Sequence, residues 1–245
     1  MARNKAKPRR RAGTWFKRLA LAVLVALGIG LGYEIAVFPN LARLQKDKPP
    51  ETAFMRYRRR EAEAAQRPYT LRWTWVPMAR ISAHLRRAVL VAEDDRFYEH
   101  EGFDVEALQG ALEENLREGR YVRGGSTISQ QLAKNLYLSP RKSILRKLHE
   151  TLYTWALERR LAKERILEIY LNVVEWGDGI FGAEAAARAH FGIAAADLSA
   201  EQAAALAACL PSPLKRDPAH LTPRMARYMR RILHRMAARQ ALESR

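Results

Sequence analysis

The chain has 245 residues, six histidines, one cysteine and a formal net charge of +17. A single cysteine excludes an intramolecular disulfide and a cysteine-based metal site, and the histidines form no HExxH pair, so we expect no zinc chemistry. The charge is concentrated at the ends: residues 1–18 carry eight Lys or Arg and no acid, and residues 215–245 carry nine against two acids. Such ends suit anionic lipid headgroups and nucleic acid about equally, so charge alone does not distinguish these partners.

A transmembrane anchor is predicted at residues 19–38, after a cytoplasmic basic tail at residues 1–18. The segment reads "LALAVLVALGIGLGYEIAVF", with Glu34 as its only charge. Twenty residues of helix span about 30 Å, the thickness of the hydrocarbon core of a bilayer. The basic flank predicts that the N-terminus is cytoplasmic and that the rest of the chain lies on the other side. A cleaved signal peptide is the alternative, but the apolar run is long and no clear A-x-A site follows it.

Residues 39–70 are polar, charged and interrupted by prolines, a pattern typical of a stalk. Within this stalk Arg58, Arg59 and Arg60 are expected to stay solvated and to have no chemical role. The length of the chain allows one substantial domain beyond the stalk, rather than two large ones.

The body, at residues 71–214, is predicted to be mainly α-helical, because its apolar residues recur at three- and four-residue steps. The stretch "ISAHLRRAVLVAEDD" predicts a helix that delivers Glu93 at or just past its end. Asp104 can cap the next helix, which extends to about Leu116 and has Gly119 as its stop. No sustained alternating strands are found outside short pieces near "LRWTWV".

The stretch "GGSTISQQLAKN" predicts the start of another helix, with Thr127 and Gln130 as a capping box. Backbone amides at such a helix start attract anions. Lys134 follows Gln130 by four residues and therefore lies on the same face of the helix. An ordinary capped surface helix explains this local pattern at least as well as a binding site does.

The stretch "SPRKSILRKLHETLYTWALERR" predicts a long helix capped by Ser139. One of its faces is apolar and is formed by Leu145, Leu148, Leu152 and Trp155. Glu150 lies on the other side, near Arg146 and Lys147. A surface ion pair between Arg146 and Glu150, worth about 0.3 to 0.5 kcal/mol, is the simpler interpretation. The functional interpretation is a carboxylate held with two cations at a partly covered cleft.

Three short helices are predicted from "KERILEIYLN", "GAEAAARAHFG" and "LSAEQAAALAACLPSP". Ser199 and Gln202 form a capping box at the start of the third, and Pro211 is its stop. Cys209, near the end of this helix, is expected to be a small buried hydrophobe rather than a reactive thiol. Residues 215–245 are predicted to form a basic C-terminal helix.

Four ordered motifs in the body resemble a known family. The stretches "EDDRFYEHEG", "GGSTISQQLAKN", "RKLHE" and "ILEIYLN" are similar to the EDxxFxxHxG, GGSTxxQQxxKN, RKxxE and ILExYLN elements of the peptidoglycan glycosyltransferases, glycosyltransferase family 51. The resemblance covers roughly residues 73–213. It implies a lysozyme-like α-helical catalytic domain, and the chain looks like the monofunctional biosynthetic enzymes rather than the bifunctional penicillin-binding proteins.

The resemblance also implies an activity. Such enzymes polymerise lipid II into peptidoglycan glycan strands by β-1,4 glycosyl transfer and release undecaprenyl diphosphate, here with no transpeptidase activity expected. Glu93 matches the first Glu of the family and should act as the base that deprotonates the acceptor hydroxyl. Cations should neutralise the departing diphosphate. By motif match these are Lys134 with Arg146 or Lys147, helped by Arg141 or Lys142.

The remaining motif residues have less defined roles. Glu150 matches the second Glu of the family, which either orients the cations or a metal-bound diphosphate, or assists the donor. The polar positions that should shape the substrate cleft are Ser126, Thr127, Gln130, Gln131 and Asn135. Asp94, Asp95, Phe97 and His100 are expected to organise the loop that follows Glu93.

Cofactors, partners and localisation follow from the same resemblance. No metal site or cofactor is expected to be required, although a divalent cation could accompany the diphosphate. The expected partners are lipid II, the growing glycan strand and the membrane, with other cell-wall synthesis and division proteins as candidates and no nucleic acid. The expected location is the bacterial inner membrane, with the catalytic domain in the periplasm. The alternatives are a lytic murein hydrolase, a tethered nucleic-acid binder and a structural scaffold.

Overall fold

The computed structural model describes residues 15, 17–21, 25, 41–120, 124–141 and 143–243. The predicted basic tail and anchor lie almost entirely outside these residues, and the few described positions before residue 41 are helical. Within the described part of the chain, no helix combines the length and the apolar character that a membrane crossing requires.

The body is mainly α-helical, which confirms the predicted fold class at this level. The helices are α1 (Ala53–Ala64), α2 (Ala83–Glu93), α3 (Val105–Arg117), α4 (Ile128–Tyr137), α5 (Ile144–Arg160), α6 (Lys163–Val173), α7 (Ala183–Phe191), α8 (Ala200–Cys209) and α9 (Pro223–Glu243). Short 3₁₀ turns occupy Leu41–Gln45, Met78–Arg80 and Ala195–Asp197. The capping boxes predicted at Thr127 and Ser199 are both present, and Asp104 caps α3 as predicted.

Two groups of helices form the core. Helix α4 packs against α1, α5 and α6, whereas α8 packs against α2 and α9. Helix α8 is rich in alanine, and its residues from Ala203 to Cys209 are all buried. Their small side chains let the neighbouring helices approach closely. Burial raises the pKa of the Cys209 thiol to about 12, in agreement with the predicted inert hydrophobe.

A small three-stranded sheet lies beside the helices. Strand β1 (Arg72–Trp73) pairs in parallel with β3 (Ile180–Phe181), which pairs antiparallel with β2 (Glu175–Gly177). Gly179, in the turn between β2 and β3, has a φ of +70°, and a Cβ there would lie 2.3 Å from the carbonyl oxygen of Thr70. Only glycine fits this turn, which packs against the backbone of Thr70 just before β1.

The segment predicted to be a stalk differs from that prediction. Residues 41–245 form one compact unit, and α1 begins within the segment after Thr52, whose side chain caps it. Phe54 and Met55 are buried. Arg58 was wrongly expected to be solvated, because its guanidinium forms two hydrogen bonds with the buried carboxylate of Glu175 in β2, at 2.8 and 2.9 Å.

Helix α5 also differs from its prediction, at its start. Its N-cap is Ser143, whose side chain accepts a hydrogen bond from the amide of Arg146, and not Ser139. Its apolar stripe is solvent-exposed, while the opposite side, with Glu150 and Leu157, is buried. Helix α3 has a similar exposed apolar stripe. The exposed residues of the two helices are Val105, Leu108, Leu112, Leu116, Ile144, Leu145, Leu148, Leu152 and Trp155.

Candidate active site

Glu93 is the last residue of α2, as the sequence predicted. Ser82 caps the start of this helix, and Leu85 and Val89 on its inner face are buried. The Glu93 carboxylate is half-buried, and its Oε2 accepts a hydrogen bond of 2.7 Å from Nε2 of Gln131 in α4. Its other oxygen, Oε1, has no hydrogen-bond partner among the described residues. One carboxylate oxygen is therefore fixed and the other can accept a proton from a ligand.

The surroundings of Glu93 favour its role as a base. Burial raises the pKa of its carboxyl group, and the hydrogen bond from Gln131 and the charge of Lys134 oppose this rise. A carboxylate with a raised pKa holds an abstracted proton more readily than an exposed one does. Partly buried carboxylates with a displaced pKa are typical of catalytic sites.

The residue after Glu93 joins its loop to the start of α4. The carboxylate of Asp94 accepts hydrogen bonds from the amide of Ile128 and from the ring of His100, each at 2.9 Å. The other ring nitrogen of His100 accepts from the amide of Gly102, so Nε2 carries the hydrogen donated to Asp94. Thr127, which caps α4, also donates to the carbonyl of Gly102 at 2.7 Å. The loop and the helix start are thus held as one unit.

The C-terminal helix α9 supports the other side of the loop. The carboxylate of Asp95 forms ion pairs with Arg235, at 3.0 Å, and with Arg239, at 3.3 Å. The hydroxyl of Tyr228 donates to the carbonyl of Ala92 at 3.3 Å. These contacts give Asp95 the loop-organising position that the sequence suggested, without placing it beside Glu93 as a second acid.

Lys134 lies near both carboxylates. It follows Gln131 by three residues on α4, and both Glu150 and Glu93 stabilise its charge. Burial nevertheless lowers the pKa of its ammonium group, and the nearby charges of Arg146 and Lys147 act in the same direction. Among the described residues the ammonium has no hydrogen bond or direct ion pair, so it is available to an anionic ligand.

Glu150 is buried and holds two cations. Its Oε2 is 2.5 Å from Nη1 of Arg146, and its Oε1 is paired with the ammonium of Lys147. The Nε of Arg146 is buried and has no hydrogen-bond partner in the described structure. The Arg146–Glu150 contact is therefore a partly buried pair at a cationic cluster and not the exposed surface pair that was the simpler interpretation.

For some of the other predicted site residues, helix capping or burial already explains the position, and others are exposed. Gln130 is buried and completes the capping box with Thr127, so helix capping already explains both. Asn135 is buried in α4, and Arg141 is exposed. Lys142 lies outside the described residues.

Ser126 lines a cavity of about 140 Å³ next to this cluster. The cavity is mostly apolar, and its lining includes Val105 and Leu108 of α3 and Lys147. It therefore places an apolar surface next to a cation.

Among the described residues, no group of three or more His, Cys, Asp or Glu side chains could hold a metal ion.

Two residues near Glu93 were not predicted as part of the site. Tyr170 of α6 is completely buried and donates a hydrogen bond of 2.9 Å to Oε1 of Gln131. Arg216 contributes a charge that opposes the raised pKa of Glu93, and it donates to the carbonyl of Ala208 at 2.6 Å. Tyr170 could have been found, because it lies within the quoted "ILEIYLN" motif. Arg216 lies in the basic C-terminal segment, whose many Lys and Arg residues gave no specific signal.

Comparison with known proteins identifies the family of the chain. The transglycosylase family model matches residues 61–237. The biosynthetic peptidoglycan transglycosylase of Azoarcus sp. (strain BH72) is 49% identical over 224 residues, which cover 91% of this chain and 96% of that relative. The protein of the same name from Aromatoleum aromaticum is 52% identical over 216 residues, which cover 88% and 93%. The chain therefore belongs to the peptidoglycan transglycosylase family and is a glycosyltransferase.

Proposed function

We propose that this enzyme polymerises lipid II into glycan strands by β-1,4 glycosyl transfer and releases undecaprenyl diphosphate. The observation that carries the proposal is the placement of a base and of cations around one helix. Gln131 of α4 holds Glu93, and Lys134, nearly one turn further, lies near both Glu93 and the Glu150 cluster. This arrangement fits a reaction that removes a proton at one point and releases an anionic leaving group at another.

The proposed reaction is a direct displacement. Oε1 of Glu93 takes the proton from the 4-hydroxyl of the acceptor sugar as the oxygen attacks the anomeric carbon of the donor. The bond between that carbon and the diphosphate oxygen breaks, and the electron pair leaves with the diphosphate. Lys134, Arg146 and Lys147 compensate the negative charge of the leaving group, so a general acid is not needed.

Glu150 is proposed to position the cations. Its two oxygens are occupied by Arg146 and Lys147, an arrangement that supports orientation of the cations rather than proton transfer or metal binding. The unpartnered Nε of Arg146 provides a donor for a phosphate oxygen. We propose that the protein cations suffice for catalysis and that no metal is required.

The exposed apolar stripes of α3 and α5 support a substrate carried by a membrane. Large contiguous apolar surfaces on a folded domain mark contact with a partner or with a lipid phase. The cavity beside Ser126 joins the α3 stripe to Lys147, which suits an amphiphile with an anionic group next to an apolar chain. We therefore propose that the enzyme acts at the periplasmic face of the bacterial inner membrane, anchored by residues 19–38 with the N-terminus in the cytoplasm.

The test is polymerisation of lipid II by the detergent-solubilised protein, with the products separated on a gel. Glu93→Gln preserves the size of the side chain and removes the base, and we expect a loss of about 10²- to 10⁴-fold in rate. Glu101→Gln is the matched control, because Glu101 is an exposed glutamate of the same loop. Polymerisation that survives Glu93→Gln would refute the proposed role of Glu93.

Further outcomes separate the alternatives. A protein that shortens finished glycan and never consumes lipid II is a hydrolase, and the proposal is then wrong. A scaffold would still complement a deletion strain when it carries Glu93→Gln. Binding of a labelled penicillin would contradict the expected lack of transpeptidase activity. Addition of a chelator tests metal independence, for which we expect unchanged rates.

A further inference from the structure

A chain of two hydrogen bonds connects helix α6 to Glu93. The hydroxyl of Tyr170 donates to Oε1 of Gln131 at 2.9 Å, and Nε2 of Gln131 donates to Oε2 of Glu93 at 2.7 Å. Tyr170 is completely buried behind α4, so it does not touch a substrate. Its hydroxyl is hydrogen-bonded to the site through the amide of Gln131.

The Tyr170 hydroxyl determines which way the Gln131 amide faces. The two ends of an amide have nearly the same shape, so Gln131 could present either its oxygen or its NH₂ group to Glu93. Burial keeps the pKa of the Tyr170 hydroxyl well above 10, so this group remains a donor at neutral pH. Among the described residues its only acceptor is Oε1 of Gln131. A reversed amide would leave the hydroxyl hydrogen unpaired and would direct an oxygen lone pair at the Glu93 carboxylate.

We propose that Tyr170 is a positioning residue for the base, acting through Gln131 to hold Oε2 of Glu93 so that Oε1 faces the acceptor hydroxyl. The inference rests on the proposed role of Glu93 as base. It predicts effects on turnover and on its pH dependence rather than on substrate affinity, because neither the phenol nor the amide oxygen reaches the cleft.

Loss of the Tyr170 hydroxyl has a defined electrostatic consequence. The donor group of Gln131 stabilises the charged form of Glu93 and so lowers its pKa. When the amide is free to turn, this stabilisation weakens, and the acid limb of the pH–rate profile moves to higher pH. We expect kcat above the acid limb to fall about tenfold, the equivalent of about 1.4 kcal/mol in activation free energy, with KM nearly unchanged.

The experiment measures kcat and KM for lipid II across pH in Tyr170→Phe, Gln131→Met and the double variant. Gln131→Met is expected to show a shift at least as large as that of Tyr170→Phe. If Tyr170 acts through Gln131, Tyr170→Phe has no further effect on the pH profile in the Gln131→Met background. Tyr57→Phe is the control, since it removes a hydroxyl that, among the described residues, bonds only to the exposed Glu61.

The outcomes distinguish this inference from the proposed function. An unchanged acid limb in Tyr170→Phe, or fully additive effects in the double variant, would overturn the positioning role even if Glu93→Gln is inactive. An active Glu93→Gln would instead overturn the role of the base. If Tyr170→Phe does not fold, 3-fluorotyrosine at position 170 retains the hydroxyl as a stronger donor. The acid limb is then expected to move to lower pH, and a limb that stays in place would refute the inference.

Discussion

The Arg58–Glu175 pair gives the most direct test of how helix α1 is attached to the small sheet. Nε and Nη2 of Arg58 bond to the two oxygens of Glu175 at 2.8 and 2.9 Å, with side-chain exposures of 14% for Arg58 and 5% for Glu175. The guanidinium also lies 5.1 Å from the centre of the Phe54 ring. The substitution Arg58→Met retains an unbranched apolar side chain but leaves a buried carboxylate without its partner.

The expected cost is large because the charge that remains is poorly hydrated. Removing one partner of a buried pair costs about 3 to 5 kcal/mol of unfolding free energy. For a domain of this size that corresponds to a fall in Tm of about 6 to 20 °C. Burial already raises the pKa of Glu175, and Arg58 opposes that rise. Without Arg58 the folded-state pKa lies further above the unfolded value, so the folded state binds the extra proton and the deficit shrinks as pH falls.

Thermal unfolding followed by circular dichroism at pH 8 and pH 5 checks this prediction. Arg59→Met is the matched control, because Arg59 pairs with Glu51 at exposures of 43% and 26%, and such a pair contributes at most about 1 kcal/mol. The double variant Arg58→Met with Glu175→Met should recover much of the loss, since no buried charge remains. An Arg58→Met protein as stable as Arg59→Met at pH 8 would refute the reasoning.

Two further predictions concern the pH dependence of activity and the exposed stripe of α5. Because the base must be deprotonated, activity should be lost as pH falls through the raised pKa of Glu93, so the acid limb of kcat lies above the ordinary carboxyl value of 4.5. The lowered pKa of Lys134 should bring an alkaline limb below the ordinary lysine value of 10.5, and a pH–rate profile tests both limbs. Replacing Leu148 and Leu152 together by Ser should weaken liposome association of residues 41–245 several-fold while changing Tm little, since both side chains are exposed. Flotation of vesicles measures this, and unchanged association would exclude the α5 stripe as a lipid-contacting surface.

The sequence predicted best those features that depend on neighbouring residues. Capping boxes join residues three apart, so the starts of α4 and α8 could be identified without tertiary information. The start of α5 was less defined, because "SPRKS" offers two serines as caps. Ser139 precedes a proline that suits a first helical turn, but the structure uses Ser143. Local propensity does not separate two such candidates when they lie four residues apart.

The features that sequence analysis missed depend on distant partners. Half of the residues in helix α1 are charged, so it looks like a solvated stalk until Glu175, 117 positions away, is placed beside Arg58. The connection from Tyr170 to Gln131 spans 39 positions and joins two motifs whose residues appear unrelated along the chain. The resemblance placed Gln131 among the substrate-binding residues, whereas the structure shows that its amide is already engaged by Tyr170 and Glu93.

The geometry of α4 explains why the second motif contributes to both halves of the proposed reaction. The carboxylate of Asp94 holds the start of α4 next to the loop that follows Glu93, so the helix and the base are fixed together. Gln131 then contacts Glu93, and Lys134 lies on the same face nearly one turn further. A one-residue insertion between Gln131 and Lys134 would turn Lys134 by about 100° around the helix axis and away from both carboxylates. The helical backbone therefore fixes the spacing between Gln131, which holds the proton acceptor, and Lys134, as expected for a site that relies on preorganised charge.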